Sequence, residues 1–273
     1  MTTQPLTKYL HRPTLGRIAY DLQGTGPLVL LVPGMGELRS TYRFLTPALV
    51  AAGYTVATTD LRGHGDSDAS FPSYGDVDTA GDIVELLREL GAPAVVVGNS
   101  MAAGAAVIVA AEHPELVRGL ILIGPFVRQP ETNALQNLLF RVLMARPWAA
   151  AAWNAYMPTL YAGTKPSDFT EYRQAAIQSM KRPGYGRAFS LTTRTDHLRA
   201  GECLTNVDSP TLVIMGEKDP DFKDPAVEAD WIARTLRGSV VMVSDAGHYP
   251  QSQQPEITST AIIDFLSTLS DHV

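Results

Sequence analysis

One short stretch combines the residue types and the spacing that nucleophilic catalysis needs. Val96-Val97-Gly98-Asn99-Ser100-Met101-Ala102-Ala103-Gly104 runs from an apolar, β-branched segment through a turn of small residues into a run of Ala and Val. A serine on a strained turn between a strand and a helix has its hydroxyl lifted clear of the sheet, where it can attack a carbonyl carbon. Small residues two places before and after it, here Gly98 and Ala102, let the strand and helix approach closely. The G-x-S-x-A spacing alone is weak, because Gly65-Asp66-Ser67-Asp68-Ala69 matches it equally well. Ser67 lacks a preceding strand and a following helix start, so it is expected to be a surface-loop serine. Ser100 is the candidate nucleophile.

A serine at neutral pH needs a general base, and the base needs an acid to orient it. In an open parallel sheet such groups come from the carboxyl ends of later strands. The apolar run Thr211–Met215 is followed by Glu217, Asp219 and Asp221, and Ser239–Val243 is followed by His248. His248 is therefore the candidate base, with three carboxylates open as its partner. His64 is expected to be a structural turn residue, and His11, His113, His197 and His272 solvated or structural. Asp60 and Arg62 are expected to hold loops together. No three histidines and carboxylates have metal-ligand spacing, and Gly34 and Gly36 are not followed by the G-K-[ST] of a phosphate loop. Neither a metal nor a cofactor is expected.

These residues need a scaffold, and the hydrophobic pattern supplies one. Between Gly16 and Gly124 short apolar runs alternate with helix-period segments. Strands are expected near Arg17–Tyr20, Leu28–Val32, Thr55–Thr59, Ala94–Val97 and Gly119–Ile123, with a helix carrying Ala80, Ile83, Val84, Leu87 and Leu90 and closed by Gly91. Strands alternating with helices imply βαβ crossovers and a mainly parallel sheet covered on both faces. The alternation lapses near Pro125. From Phe126 to about Leu204 only helix-like stretches occur, such as Asn133–Met144 and Trp148–Tyr156, rich in aromatic residues. Strands resume after Pro210, and a helix follows with Pro255 in its first turn. The expected organisation is one α/β core, residues 1–126 and 205–273, interrupted by a helical cap at 127–204.

Composition excludes several classes. The 273 residues carry 22 Lys+Arg against 28 Asp+Glu, a net charge of −6, so a nucleic-acid or anionic-membrane partner is not expected. The lone Cys203 rules out an intramolecular disulfide or thiolate cluster. The start of the chain lacks a signal-peptide core, and no apolar stretch nears the ~20 residues of a membrane span. The expected partner is a small-molecule substrate and the expected location cytoplasmic.

Taken together the motifs resemble the α/β-hydrolase fold superfamily, over essentially the whole chain. Val32-Pro33-Gly34-Met35-Gly36 is similar to that family's oxyanion loop, with Pro33-Gly34 where His-Gly is frequent. Asp60-Leu61-Arg62-Gly63-His64-Gly65-Asp66-Ser67 resembles its D-x-R-G-x-G-x-S turn, and Gly216–Asp219 its G-x-x-D acid loop. The resemblance implies an eight-stranded-type sheet with a cap, a triad of Ser100, Asp219 and His248, and an oxyanion hole from the backbone N–H groups of Met35 and Met101. It implies a serine hydrolase of the esterase or lactonase kind acting on a small, fairly apolar substrate. Trp148, Trp153, Tyr156 and Tyr249 are the candidate pocket residues. Gly98-Asn99-Ser100-Met101 is also similar to the elbow of carbon–carbon bond hydrolases of ring-cleavage products. A slow-turnover small-molecule receptor is the reading from outside catalysis.

Overall fold

The β-branched runs become the centre of one sheet in a computed structural model that describes residues 6–91, 93–129 and 134–270. Its strands are β1 Lys8–Arg12, β2 Gly16–Gln23, β3 Leu28–Val32, β4 Thr55–Thr59, β5 Ala94–Asn99, β6 Val117–Ile123, β7 Thr211–Gly216 and β8 Ser239–Val243. They lie in the order β1-β2-β4-β3-β5-β6-β7-β8. β1 and β2 pair antiparallel with each other, β2 is antiparallel to β4, and every other pairing is parallel. Apart from the antiparallel β1, which has no period-two apolar pattern, every strand lies at or near its expected position.

Side chains alternate across the sheet, so each central strand feeds two apolar layers. Leu30, Val32, Val96, Leu120, Leu122, Val213 and Met215 face one layer, and Val29, Leu31, Val95, Val97, Ile121, Ile123 and Ile214 the other. The helices α1 Leu45–Ala51, α2 Asp76–Leu90 and α3 Met101–Glu112 follow β3, β4 and β5. α2 ends where sequence placed its stop, on Gly91 in the left-handed conformation (φ 77°). α3 is apolar all round and buried from Met101 to Ala110, as a helix packed against both sheet and neighbours must be.

Between β6 and β7 the chain builds α4 Ala134–Leu143, α5 Ala149–Leu160, α6 Phe169–Met180, α7 Tyr185–Thr192 and α8 Leu198–Cys203. Asn133, expected to begin the first of these, lies outside the described residues. α5, α6 and α7 share their own apolar cluster, built on Trp153, Met157, Tyr161, Ile177 and Phe189. The two ends of the insertion pack elsewhere: Val127, Ala200, Cys203 and Leu204 belong to the layer under α3. After β7 come α9 Pro225–Leu236, α10 Pro250–Gln253 and α11 Pro255–Ser270. Among the described residues no helix is long and apolar enough to cross a membrane.

Candidate active site

β5 ends at Asn99 and α3 begins at Met101, leaving Ser100 alone in the turn at φ 58° and ψ −124°. L-residues rarely adopt this backbone, and the surroundings hold it. The Ser100 N–H donates to the Ile123 carbonyl (2.9 Å), while the Ser100 carbonyl accepts from Ala103 and Phe126 (3.0 and 3.3 Å). Strand and helix are so close that a Cβ on Gly98 would lie 2.5 Å from the Ala102 carbonyl oxygen, which explains the small residues at both places. The Met101 N–H, in the first turn of α3, has no intrahelical acceptor.

The loop after β3 packs against this turn. A Cβ on Gly34 would stand 2.8 Å from Ser100 Cβ, so the backbone at Gly34 packs directly against the serine, while Gly36 packs against Trp153. His64 fixes that loop from behind. Its Nε2 accepts the Gly36 N–H at 3.0 Å, which leaves Nδ1 to donate to the Arg62 carbonyl at 3.1 Å. Burial pushes the His64 imidazole down to about 4, outweighing the hydrogen bond to Arg62, so the ring stays neutral at pH 7. Arg62 reaches Asp78 and Asp82 at 2.7–2.8 Å, and Asp60 pairs with Arg39. Ser67, expected at the surface, is fully buried, because its hydroxyl bridges the Ala19 N–H (2.9 Å) and the Asp60 carbonyl (3.0 Å).

The loops after β7 and β8 interlock. A Cβ on Gly216 would lie 2.0 Å from the Gly247 carbonyl oxygen, and only glycine permits that approach. His248 is anchored by its N–H donating to the Leu160 carbonyl at the end of α5 (2.8 Å). The result is a buried pair, His248 Nδ1 to Asp219 Oδ2 at 2.7 Å. Of the three carboxylates that followed β7, Glu217 is exposed, and Asp221 Oδ1 accepts the Tyr156 hydroxyl at 2.5 Å. Asp219 is the one that orients the ring. His248 Nε2 is buried and makes no hydrogen bond; Asp221 Oδ2 stands 3.8 Å away. Burial opposes charge on the ring, but Asp219, then Asp221 and Glu37, outweigh it and raise His248 to about 9.

Asp219, Asp221 and His248 bring ligand atoms within 4.8 Å of one another, a grouping of a size that could hold a cation and that sequence spacing did not show. Its donor atoms are partly spoken for by the His248–Asp219 and Tyr156–Asp221 hydrogen bonds.

A serine in a strained strand–helix turn beside a glycine loop, together with a buried His–Asp pair in the loops after the later strands, is what the sequence motifs resembled. Residues 29–261 match the family model described as "Alpha/beta hydrolase family". The chain belongs to that family. It is 31% identical over 269 residues to the 2-(acetamidomethylene)succinate hydrolase of Mesorhizobium japonicum, covering 93% of this chain and 94% of that one. It is 28% identical over 251 residues to a pimeloyl-[acyl-carrier protein] methyl ester esterase of Neisseria meningitidis, covering 89% and 78%. Among solved structures, a thermophilic esterase from Thermogutta terrifontis superposes with a TM-score of 0.80 at 25% identity, over 98% of this chain and 99% of that one.

Within this α/β-hydrolase, the four expected pocket residues lie in different settings. Trp153 and Tyr249 are buried in the cluster of α5–α7, and Tyr249 stands edge-on to His248 with ring centres 5.0 Å apart. Tyr156 is half-buried and held by Asp221. Trp148 is 49% exposed and donates its Nε1–H to the Val142 carbonyl (2.8 Å), because it precedes α5 and folds back over the end of α4. Sequence reasoning missed Glu37. This residue follows the glycine loop directly, is fully buried, and accepts the Tyr172 hydroxyl on Oε2 at 2.6 Å. Burial raises it to about 7, opposed by hydrogen bonds from Tyr172 and Thr41. A carboxylate directly after a Gly-x-Gly turn was the only signal available.

Proposed function

We propose that this α/β-hydrolase is a serine hydrolase cleaving a carboxylic ester or lactone of a small, fairly apolar substrate. The observation that carries the reading is the buried His248–Asp219 pair, whose loop is tied to the elbow by the Asn99 side-chain amide, next to Ser100, donating to the His248 carbonyl at 3.3 Å. In this reading His248 takes the proton as Ser100 Oγ attacks the carbonyl carbon. Asp219 holds the ring tautomer and stabilises the imidazolium. The N–H groups of Met35 and Met101 receive the negative oxygen of the tetrahedral intermediate, a contribution of roughly 3 kcal/mol per donor. The intermediate collapses with loss of the alcohol, which takes the proton from His248. Water, deprotonated by the same ring, then releases the acid and frees Ser100. Residues 127–204 act as the cap, with Trp153, Tyr156 and Tyr249 lining the substrate side.

The relatives support hydrolysis, since one is named for a methyl ester and another for 2-(acetamidomethylene)succinate. The test is a panel of p-nitrophenyl esters, lactones and a dienone ring-cleavage product, run on wild type and Ser100→Ala beside a fluorophosphonate probe. Steady ester or lactone turnover and labelling are expected for wild type, with turnover lower by about 10⁴-fold or more in Ser100→Ala. Retained turnover in that variant would overturn the nucleophile. Activity confined to the dienone would favour carbon–carbon cleavage, and a single turnover with retained product would favour a receptor.

A further inference from the structure

We propose that two copies of this chain pair β8 against β8, antiparallel about a two-fold axis through Val241, and so join their sheets into one.

β8 ends the sheet, with β7 beside it on one side only. An edge strand presents a row of unpaired backbone N–H and C=O groups, and proteins usually blunt such edges with charge, proline or a bulge. The opposite edge is blunted in this way, since β1 reads Lys8-Tyr9-Leu10-His11-Arg12. β8 reads Ser239-Val240-Val241-Met242-Val243 and carries neither charge nor proline. Its register with β7 runs without a shift from Ser239 to Val243. Among the described residues, Ser239 to Met242 make no backbone–backbone hydrogen bond beyond that ladder. The flanks of the edge are apolar and incompletely covered. Val240, Met242 and, from α9, Trp231 are partly buried against one layer of the core, and Val241 with Phe265 of α11 against the other. A groove of about 970 Å³ follows β8 and α11, with Val241, Ile257, Ala261 and Phe265 in its wall.

The placement of charge selects a second copy as the occupant. Arg237 precedes β8, Glu256 lies in the first turn of α11, and both line the groove. They stand at opposite ends of it. Phe265 and Leu269, late in α11, approach Gly119 early in β6, so α11 runs from the carboxyl ends of the parallel strands back towards their starts. Asp245 follows the carboxyl end of β8. A two-fold axis reverses one strand against the other, so each Arg237 comes to the end of the partner strand that bears Asp245 and Glu256. Arg237 and Asp245 are equally far along the chain from Val241, so an axis through Val241 brings these two together. Pairing in the same direction would instead set Arg237 beside Arg237 and Asp245 beside Asp245. The present partners, Asp208 for Arg237 and Lys218 for Asp245, form exposed ion pairs of the kind worth little in water. Across the axis Val241 opposes itself, Val240 opposes Met242 and Ser239 opposes Val243, apolar pairs of the sort that stabilise neighbouring strands. Both copies use the same surface, so the assembly closes at two.

Sedimentation velocity of wild type over a range of micromolar concentrations is expected to show a dimer. Arg237→Glu turns attraction into repulsion at both ends of the interface and should raise the dissociation constant tenfold or more. Adding Glu256→Arg to that variant should tighten it again by at least threefold. Cysteine variants read the register. Val241→Cys should give a disulfide-linked dimer under mild oxidation, because directly opposed Cβ atoms lie about 5 Å apart. Ser239→Cys should not, because its two copies would be offset by about 14 Å along the strands. The native Cys203 is buried and serves as the background in both. A wild type that stays monomeric at every concentration overturns the pairing, including the case in which another protein's strand takes the edge. A dimer that ignores Arg237→Glu, or that links through Ser239→Cys but not Val241→Cys, uses another surface or register and overturns it as well.

Discussion

Replacing Glu37 by Gln should stabilise the protein in a pH-dependent way. The two side chains have the same shape, and Gln can still accept the Tyr172 hydroxyl, but only Glu can ionise. Burial raises Glu37 from an ordinary value near 4.5 to about 7. The folded state thus binds this proton more tightly than the unfolded state does, so stability is lost as pH rises from 4.5 to 7 and stays lower above that. The full difference of 7 − 4.5 corresponds to about 3 kcal/mol. Comparing the two titration curves, the cost is about 1 kcal/mol at pH 5 and about 3 kcal/mol at pH 8. Glu37→Gln should therefore gain about 2 kcal/mol on wild type between those pH values, since every other titrating group contributes nearly equally to both proteins. In a domain of this size that is a melting-temperature difference of about 4–8 °C. Equilibrium urea unfolding of both proteins at pH 5, 6, 7 and 8 reads it directly. A stability difference independent of pH, or one that shrinks as pH rises, would refute the reasoning.

Two further perturbations test the geometry around the serine. Gly34→Ala places a methyl 2.8 Å from Ser100 Cβ and 3.2 Å from Asn99 Oδ1, so the loop beside the serine must shift; steady-state kinetics should show kcat down by about 100-fold with KM within a few-fold, and an unchanged kcat would remove that loop from the oxyanion role. Asp219→Asn should lower kcat by about 10⁴-fold, whereas Asp221→Asn should cost less than about tenfold. Because the base must be neutral and its neighbours raise it towards 9, kcat/KM should climb with pH above the usual histidine range. Asp221→Asn should move that limb to lower pH by removing one of the charges that raise it. Identical pH profiles for wild type and Asp221→Asn would show that Asp221 does not act on the ring.

Sequence by itself determined what short-range pattern can determine. A valine-rich strand leading through Gly98-Asn99-Ser100 into an alanine-rich helix is a local design, and the structure keeps it at Ser100 with φ 58°. The apolar runs marked the parallel strands because segments buried on both faces must be apolar throughout. Groups at strand ends, such as His248, were legible for the same reason. The tertiary structure decided whatever depends on partners distant in the chain. Asp219 and Asp221 are two residues apart and chemically alike, and only folding gives one to His248 and the other to Tyr156. Ser67 read as a surface residue until β2 supplied the Ala19 N–H, 48 residues away, for its hydroxyl to accept. Glu37 looked like any charged residue after a turn. Its partner Tyr172 is 135 residues further on, and burial beneath α6 turns an ordinary carboxylate into a group near neutrality beside the site. Local pattern encodes backbone shape, whereas desolvation and charge are set by whatever the rest of the chain brings alongside.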